Sequence, residues 1–381
     1  MANIARIPIT NIYADGDYTG QIQVGPGQRT MNVLLDTGSS QLALNARKFK
    51  PDLAGGDRTT RLVQSAEYAD GSSWTGAVVH TKVSIGIQGT QVAIGNANVA
   101  FAYRSRQMFG ETDGILGLAY SALDDAYLMP QDSWKERHRP VRKLKRNRRF
   151  IEPYLTQLKH KDVVFDKFAF YTRRSAVHRG RRDLADNILN QGWLIMGGGE
   201  ESKDLYRGKF QTVKVLSDSW YNTNLKAIVV GRAEAIEVAP KHTKSLPSNS
   251  IVDSGTAGLM LPKSLLRKII AKFPPDRQAL LNQALKEPWI SARKLELWKW
   301  PDITFIMQGP TGGCDAILKI KPCDYWQVDA GRKGQAQTVF MEGAASDGII
   351  LGLPLMNGYF TIFDGEADRG KGEIRFARRK D

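Results

Sequence analysis

The stretch Leu-Leu-Asp-Thr-Gly-Ser at residues 34–39 recurs as Ile-Val-Asp-Ser-Gly-Thr at residues 251–256. A second shared stretch, Ile-Leu-Gly-Leu, follows each copy, at residues 115–118 and again at 350–353. Two motifs repeated in the same order indicate a duplicated lobe. Each copy of the first motif delivers one aspartate at the end of an apolar run, so the chain is predicted to present two carboxylates related by a pseudo-two-fold axis.

These two aspartates, Asp36 and Asp253, suggest a chemistry. Two carboxylates that share a site cannot both ionise easily, so their titrations split and one stays protonated while the other acts as a base. Such a pair can activate a water molecule without a metal ion or a covalent intermediate.

The remaining sequence favours a mostly β fold. The 381 residues are 42% hydrophobic, which is ordinary for a soluble protein. The repeat divides them into two predicted lobes, 1–190 and 191–381. Two helices are predicted, at about 265–285 with a break at Pro274-Pro275, and at about 150–159. Runs rich in Val, Ile, Thr, Tyr and Phe predict short, mostly antiparallel strands at 20–25, 31–35, 76–88, 163–172, 193–198, 209–216, 226–231, 303–308, 316–321 and 359–363.

The net charge of +15 is concentrated in two segments. Residues 135–149 contribute +8 and residues 173–182 contribute +5, and both are predicted to be surface insertions. Such segments are either solvated loops or an electrostatic site for an acidic partner, nucleic acid or anionic lipid. Few aromatic residues interrupt them, so base stacking is weakly supported.

The chain offers little sign of metal binding or secretion. Cys314 and Cys323 have no metal-ligand spacing and are predicted to be free thiols, with a small disulfide loop as the alternative. The five histidines are scattered, so no metal and no cofactor is expected. The first residues do not resemble a signal peptide, and no apolar run is long enough to span a bilayer. We therefore expect a monomer without membrane attachment in a reducing, cytoplasmic compartment, unless a leader has been removed.

Taken together, the motifs resemble the pepsin family of aspartic endopeptidases. Besides the repeated stretches, the chain has Asp-Tyr-Thr-Gly at 17–20, a tyrosine-containing hairpin at 68–76 and Tyr-Phe-Thr-Ile-Phe-Asp at 359–364. The resemblance covers nearly the whole chain and implies a bilobal acid protease fold with an extended cleft. The start of the match near residue 7 and the scarcity of cysteines are similar to bacterial pepsin-like proteins.

The resemblance also implies roles for individual residues. Asp36 and Asp253 would be catalytic, and the residue after each, Thr37 or Ser254, would donate a hydrogen bond to the opposite lobe. Gly38 and Gly255 would aim backbone N–H groups at the carboxylates. The hydroxyls of Ser39 and Thr256 would bond the outer carboxylate oxygens, and Thr256 is the residue type of acid-active members, which implies an acidic pH optimum. A lone Asp-x-Gly would instead be read as a turn with an Asx cap.

The hairpin at 68–76 resembles the flap that closes over bound peptide in this family. Asp70-Gly71 is a hairpin-tip signal, and Tyr68, Leu34 and Ile115 would line the pocket for the residue before the cut. A tyrosine that only packs across two strands is the alternative for Tyr68.

One departure from the family pattern concerns a tryptophan. Most pepsins carry a tryptophan where this chain has Ala43, and the β-secretase branch places one on the far arm of the flap instead. Trp74 resembles that substitute. We expect Trp74→Ala to slow cleavage with little effect on stability.

The sequence therefore predicts an aspartic endopeptidase that cuts between hydrophobic residues, takes peptide or unfolded protein as substrate and is inhibited by pepstatin-type peptides. Two alternatives stay open. One is a catalytically silent pepsin-like scaffold that binds peptide or protein. The other makes docking of acidic partners at 135–149 and 173–182 the main function.

Overall fold

The computed structural model describes residues 3–14, 16–68, 71–87, 89–137, 147–176, 184, 186–240, 248–343 and 348–381. The chain folds into two compact units. The first contains residues 1–8, 19–166 and 195–198, and the second contains residues 9–18, 167–194 and 199–381. Residues 167–190 thus group with the second unit and not with the predicted lobe 1–190, because the strand at 167–171 pairs along its whole length with Tyr359–Asp364.

The first part of the chain is almost entirely β. Its elements are β1 (Ala5–Ala14), β2 (Asp17–Val24), β3 (Arg29–Asp36), β4 (Leu42–Asn45), β5 (Arg58–Glu67), β6 (Ser73–Ile85), β7 (Val92–Arg106), β8 (Gly114–Gly117), β9 (Asp125–Leu128), β10 (Arg148–Phe150) and α1 (Tyr154–His160).

Strands β10-β9-β5-β6-β7-β4-β8-β3-β2 follow one another in the sheet of the first unit. Strand β2 pairs with both β3 and β6, with Ile22 opposite Ile85, so β6, β7, β4, β8, β3 and β2 close into a ring. A closed ring leaves these strands no free edge, and it includes the fully buried Val33, Leu35 and Leu116.

The second part of the chain contains several smaller sheets. Its elements are β11 (Lys167–Tyr171), β12 (Gln191–Met196), β13 (Tyr206–Lys214), β14 (Asn222–Thr223), β15 (Leu225–Val230), β16 (Ile236–Glu237), β17 (Ser250–Val252), β18 (Leu259–Leu261), α2 (Lys263–Ala271), α3 (Pro275–Lys286), β19 (Ile290–Ser291), β20 (Ile303–Met307), β21 (Ala316–Ile320), α4 (Pro322–Tyr325), β22 (Trp326–Val328), β23 (Gln335–Thr338), β24 (Phe340–Glu342), β25 (Ile349–Leu351), α5 (Leu353–Met356), β26 (Tyr359–Asp364), α6 (Ala367–Gly370) and β27 (Glu373–Arg379).

Four groups of strands organise the second unit: β11-β26-β27-β13, β14-β17-β25-β18-β24, β16-β15-β20-β21 and β19-β23-β22. The mostly β fold predicted from the sequence is confirmed, as are all ten predicted strands. The predicted break at Pro274-Pro275 separates α2 from α3, and Pro275 occupies the first turn of α3, where its missing N–H has no cost. Helix α1 begins at Tyr154, after Pro153, because residues 148–150 form β10.

One arrangement of strands occurs in both units. In the first unit β3 runs parallel to β8, β8 antiparallel to β4, and β4 parallel to β7. In the second unit β17 runs parallel to β25, β25 antiparallel to β18, and β18 parallel to β24. The internal duplication expected from the two motif copies is therefore present in the strand topology.

A glycine at the end of β8 lets the loop after Asp36 pack directly against that strand. A Cβ atom at Gly117 would lie 2.5 Å from the carbonyl carbon of Ser40 and 2.6 Å from the nitrogen of Gln41. At the equivalent Gly352, a Cβ atom would lie 2.0 Å from the carbonyl oxygen of Thr256. Because backbone atoms cannot move aside as a flexible side chain can, any larger residue must displace the loop that follows each aspartate.

We predict that Gly117→Ala destabilises the first unit by about 1–3 kcal/mol, the usual cost of overpacking. The matched control is Gly95→Ala in β7, where no atom lies within 4 Å of the new Cβ. Chemical unfolding followed by tryptophan fluorescence measures both. Equal unfolding midpoints for the two variants would contradict the steric argument.

Candidate active site

Asp36 is the last residue of β3, and backbone and side-chain bonds fix its position. It lies opposite Gly117 in the parallel pairing with β8, and its carbonyl accepts a hydrogen bond from Leu118 N at 2.7 Å. Its Oδ1 accepts from Gly38 N at 2.7 Å, and its Oδ2 accepts from Ser39 Oγ at 2.5 Å. The side chain is only 4% exposed, so both carboxylate oxygens have a donor where water is scarce.

Asp253 has the same surroundings within the second unit. It follows β17, and its backbone N–H donates to Leu351 O at 3.1 Å. Its Oδ1 accepts from Gly255 N at 2.9 Å, and its Oδ2 accepts from Thr256 Oγ1 at 2.7 Å. The residue is 7% exposed.

The match between the two aspartates extends beyond a common turn. Each aspartate accepts a hydrogen bond from the backbone N–H of the residue two positions later. This bond alone would be expected for a simple Asx turn at Asp-x-Gly. The hydroxyl bond to the second oxygen, the burial and the parallel strand beside each aspartate are additional, and all occur twice. Gly117 N donates to Gln41 O at 2.9 Å, and Gly352 N donates to Gly258 O at 3.2 Å, which are equivalent positions in the repeat. Each carboxylate therefore has a fixed orientation as well as a capped turn.

Thr37 and Ser254, which follow the two aspartates, are fully buried. Burial is consistent with hydroxyls that need partners inside the protein. Their hydrogen bonds to the opposite lobe stay a prediction.

The predicted flap is a β-hairpin with β5 and β6 as its arms, called the flap hairpin below. Glu67 lies opposite Ser73, Tyr68 N donates to Ser72 O at 2.9 Å, and Gly71 N donates to Tyr68 O at 3.0 Å. Gly71 has φ +80°, which favours glycine. Asp70, the other half of the predicted tip signal, lies outside the described residues.

Trp74 in β6 connects the flap hairpin to the core of the first unit. Its indole Nε1 donates to Tyr68 Oη at 3.2 Å. The side chain is only 2% exposed and belongs to a buried cluster with Ala43 and Ile115. A large aromatic ring thus packs in the cluster that contains Ala43, as the comparison with the β-secretase branch predicts. The expectation that Trp74→Ala would hardly affect stability is wrong, because truncating a buried tryptophan leaves a cavity that costs about 3–5 kcal/mol.

The three residues predicted to line the specificity pocket belong to this same cluster. Leu34 and Tyr68 are partly exposed and pack against it, whereas Ile115 is only 2% exposed. Leu34 and Ile115 are also directly opposite in the pairing of β3 with β8. Leu34 and Tyr68 can therefore offer apolar surface, with Ile115 supporting them from beneath.

The sequence analysis missed a buried carboxyl beside the flap hairpin. Asp124 is 2% exposed and accepts a hydrogen bond from the side-chain amide of Gln64 in β5. Burial raises the pKa of Asp124 well above its ordinary value, the Gln64 bond opposes that rise, and the neighbouring Asp125 adds to it. The only sequence feature that could have indicated this burial is the Asp-Asp pair directly after an apolar run. Such a pair is also typical of an ordinary loop.

The basic segments are only partly described, since residues 138–146 and 177–183 lie outside the described part of the chain. Arg148 pairs with Asp125 at 2.6 Å and stacks over Phe150. Arg173 donates to Ile188 O at 2.9 Å, and Arg174 donates to Val328 O at 2.8 Å. Some arginines of the basic segments therefore form local structural contacts.

The remaining candidate groups have ordinary surroundings. Cys314 and Cys323 are both free, as predicted. His160 pairs with Glu152 at 2.9 Å, and burial lowers the pKa of His80. The other three histidines, His138, His178 and His242, lie outside the described residues.

A search of the described residues finds no group of three or more His, Cys, Asp or Glu side chains placed to hold a metal ion. The same part of the chain contains no helix long and apolar enough to cross a bilayer.

Comparison with known proteins identifies the family. The family model described as eukaryotic aspartyl protease matches residues 17–378. The chain belongs to the aspartyl protease family. It is 25% identical to rhizopuspepsin-5 of Rhizopus niveus over 283 residues, which are 71% of this chain and 60% of that protein.

Two further relatives of the aspartyl protease family are similar over 95% of this chain. Beta-secretase of Strongylocentrotus purpuratus is 24% identical over 392 residues, with 66% of its own length covered. Pepsin A of Callithrix jacchus is 25% identical over 381 residues, with 81% covered. The chain spans less than two thirds of the length of rhizopuspepsin-5 and of this beta-secretase. The resemblance inferred from the motifs is confirmed.

The Trp74 hydrogen bond gives a prediction about stability. Trp74→Phe keeps most of the ring but removes the N–H that Tyr68 Oη accepts, so we expect a loss of about 0.5–1.5 kcal/mol beyond the loss of ring volume. Trp326→Phe is the matched control, because Trp326 is also fully buried but its Nε1 has no partner within the described residues. Thermal unfolding of both variants measures the difference. A Trp326 variant as destabilised as the Trp74 variant would show that the bond contributes nothing.

A second prediction concerns Asp124 and pH. Since its pKa is raised in the folded chain, folding becomes less favourable as pH rises from the unfolded value of 3.8 through the folded one. Asp124→Asn should therefore be more stable than the parent at neutral pH, and this advantage should vanish as the pH falls towards that value. Unfolding midpoints across the pH range test this, with the exposed Asp276→Asn as the control. A stability difference that does not change with pH would rule out the buried carboxyl as its cause.

Proposed function

We propose that this protein is an aspartic-type endopeptidase in which Asp36 and Asp253 together activate one water molecule. The observation that carries the proposal is the twofold occurrence of one carboxylate setting. In each unit a buried aspartate lies at the end of a strand that pairs with a parallel neighbour. Its carboxylate accepts one hydrogen bond from a backbone N–H and one from a hydroxyl. Membership of the aspartyl protease family over residues 17–378 supports it.

The chemistry follows from a carboxylate pair that shares one proton. The ionised aspartate takes a proton from the water, which attacks the scissile carbonyl, while the protonated aspartate donates a hydrogen bond to the carbonyl oxygen. A tetrahedral gem-diol forms, and a proton then passes to the leaving nitrogen. Ser39 and Thr256 hold the outer oxygens, so each carboxylate keeps its orientation through the reaction.

The flap hairpin is proposed to cover the bound peptide, with Tyr68 contributing to the pocket for the residue before the cut. The bond from Trp74 restrains the Tyr68 ring from one side. A restrained ring loses less freedom when substrate binds, so the pocket would be formed largely in advance. The apolar surface of Leu34 and Tyr68 supports a preference for hydrophobic residues on both sides of the cut.

A catalytically silent peptide-binding scaffold is the rival proposal. Both aspartates, both supporting hydroxyls and the flap tyrosine are present, and these are the groups that catalysis requires and binding alone does not. We further propose a monomer that takes peptides or unfolded proteins, binds pepstatin-type inhibitors and works in the bacterial cytoplasm. Docking of an acidic partner at 135–149 and 173–182 is a secondary proposal, supported by their charge.

The deciding experiment is cleavage of an unstructured protein across a range of pH. We predict activity with an optimum at roughly pH 4, below the higher of the two pKa values of the carboxylate pair of pepsin, because only the monoanion is active. Asp36→Asn and Asp253→Asn should each remove turnover while the fold is kept, because either change destroys the shared-proton pair. Loss of general acid–base catalysis alone is worth about a hundredfold to ten thousandfold. If either variant cleaves within tenfold of the parent, the water-activation mechanism is wrong, and an inactive parent that still binds peptide favours the silent scaffold.

Specificity gives a separate prediction. Cleavage of a peptide library should favour large apolar or aromatic residues before and after the cut, because Leu34 and Tyr68 offer apolar surface. Leu34→Ser should reduce that preference without changing the fold, since Leu34 is only partly buried. A parent enzyme that prefers Lys, Arg or Asp immediately before the cut would contradict the proposed pocket.

A further inference from the structure

The flap hairpin has a second face that the proposed reaction does not use. Ala66 and Trp74 are opposite each other and pack towards the buried cluster beneath the hairpin. Side chains alternate along a strand, so the flanking pairs Ser65–Thr75 and Glu67–Ser73 point to the other side. A groove of about 490 Å³ runs along the hairpin, and all six of these residues contribute to its lining.

Two exposed arginines from β7 form one wall of this groove. Thr75 lies opposite Arg104 and Ser73 lies opposite Arg106, so each guanidinium is on the same face as a hydroxyl of the hairpin. Within the described residues, the guanidinium of Arg106 has neither an ion pair nor a hydrogen-bond partner. The hydroxyls of Ser73 and Thr75 likewise make no hydrogen bond to any described group.

Tyr127 from β9 forms the opposite wall. Strand β9 pairs with β5 through Tyr127 opposite Val63, and β10 pairs with β9 through Arg148 opposite Tyr127. Strand β9 precedes the basic segment 135–149 and β10 contains its last two residues, so both ends of this segment adjoin the sheet of the flap hairpin. Their position adds Arg148, paired with Asp125, to the same face. We call the site lined by Ser65, Ser73, Thr75, Arg104, Arg106 and Tyr127 the outer flap groove.

The chemistry of the outer flap groove suits carboxylate ligands. Guanidinium groups bind carboxylates through two parallel hydrogen bonds, and clusters of arginine are a recurring means of recognising acidic motifs. Hydroxyls on the floor can donate to peptide carbonyls. A volume of about 490 Å³ lies in the range of sites for a single small ligand or a short peptide segment.

One feature favours a peptide over nucleic acid. Glu67 also lines the groove, and its carboxylate can accept a hydrogen bond from a backbone N–H of a peptide, whereas a phosphodiester backbone has no N–H to donate. Two aromatic residues line the groove, Trp74 and Tyr127. Trp74 is only 2% exposed, so its ring cannot stack with a base, and one remaining ring gives successive bases no stacking platform.

We propose that the outer flap groove binds a short acidic peptide segment, with its carboxylates on Arg104 and Arg106 and its backbone on the hydroxyls of β5 and β6. The ligand would contact both arms of the hairpin on the face opposite Tyr68 and Trp74. Occupancy therefore biases the position of the flap, and this coupling, unlike binding itself, rests on the proposed protease function.

Binding is measured with the full chain carrying Asp36→Asn, so that a peptide is not cut and the outcome is independent of catalysis. The probe is a dye-labelled, glutamate-rich peptide followed by fluorescence anisotropy, with a glutamine-for-glutamate peptide as its partner. Arg106→Gln should weaken binding by about tenfold, the loss expected for one charge-assisted contact. Arg47→Gln, an exposed arginine of the same unit outside the groove, should leave the affinity within twofold.

Thr75→Val adds a test of the groove floor, because it removes a hydroxyl with little change of shape and should weaken binding by a few-fold. Equal loss in Arg106→Gln and Arg47→Gln would overturn the proposal in favour of general charge attraction. So would absent binding, or equal affinity for the glutamate and glutamine peptides. Tighter binding of a single-stranded oligonucleotide that is lost in Arg106→Gln would replace the peptide by nucleic acid.

Coupling to the flap is then tested in the parent enzyme. The glutamate-rich peptide should change KM or kcat for a neutral substrate, and Arg106→Gln should abolish that change while leaving the rate without peptide unaltered. Binding without any kinetic effect would refute the coupling but keep the site. A parent without activity would refute the proposed function and leave the binding result standing.

Discussion

The structure depends on a parallel pair of strands beside each aspartate. In the first unit β3 lies against β8, and a glycine at the end of β8 lets the loop after Asp36 approach to backbone contact. The second unit repeats this with β17, β25 and Gly352. Without that close approach, the loop could not return its N–H and hydroxyl donors to the carboxylate. The glycines of the Ile-Leu-Gly-Leu motifs therefore help to hold each aspartate in its orientation.

Because both aspartates are buried, the hydrogen bonds that this packing supplies matter for their chemistry. A carboxylate that is 4% or 7% exposed must have its hydrogen bonds supplied by the protein, and both aspartates receive two. Donors fixed by the backbone need no reorganisation when charge moves, which is the property that favours catalysis by preorganised groups. In the first unit, the buried cluster that contains Ala43 and Ile115 also includes Trp74, which donates a hydrogen bond to Tyr68. The flap hairpin is therefore packed against the core of this unit.

The sequence predicted the elements whose signal is local. Local sequence patterns were enough to find the two motif copies, the strands rich in β-branched residues and the helix break at Pro274-Pro275. Strand β7 was missed because it is rich in alanine and carries Gly95, and only pairing with β6 and β4 makes it a strand. The packing of Trp74 and Asp124 depends on residues distant in sequence, so neither the stability role of the first nor the burial of the second could be predicted. Strand β10 was missed for a different reason, because it begins within the basic segment 135–149, whose charge indicated a surface insertion.

The central proposal is that Asp36 and Asp253 act as one catalytic pair. Titration of the full chain with a pepstatin-type peptide at acidic pH, followed by calorimetry, tests it most directly, because such a peptide mimics the tetrahedral species. The account predicts one inhibitor bound per chain, with binding greatly weakened by Asp36→Asn and equally by Asp253→Asn. Two inhibitors per chain, or undiminished affinity in either variant, would contradict it.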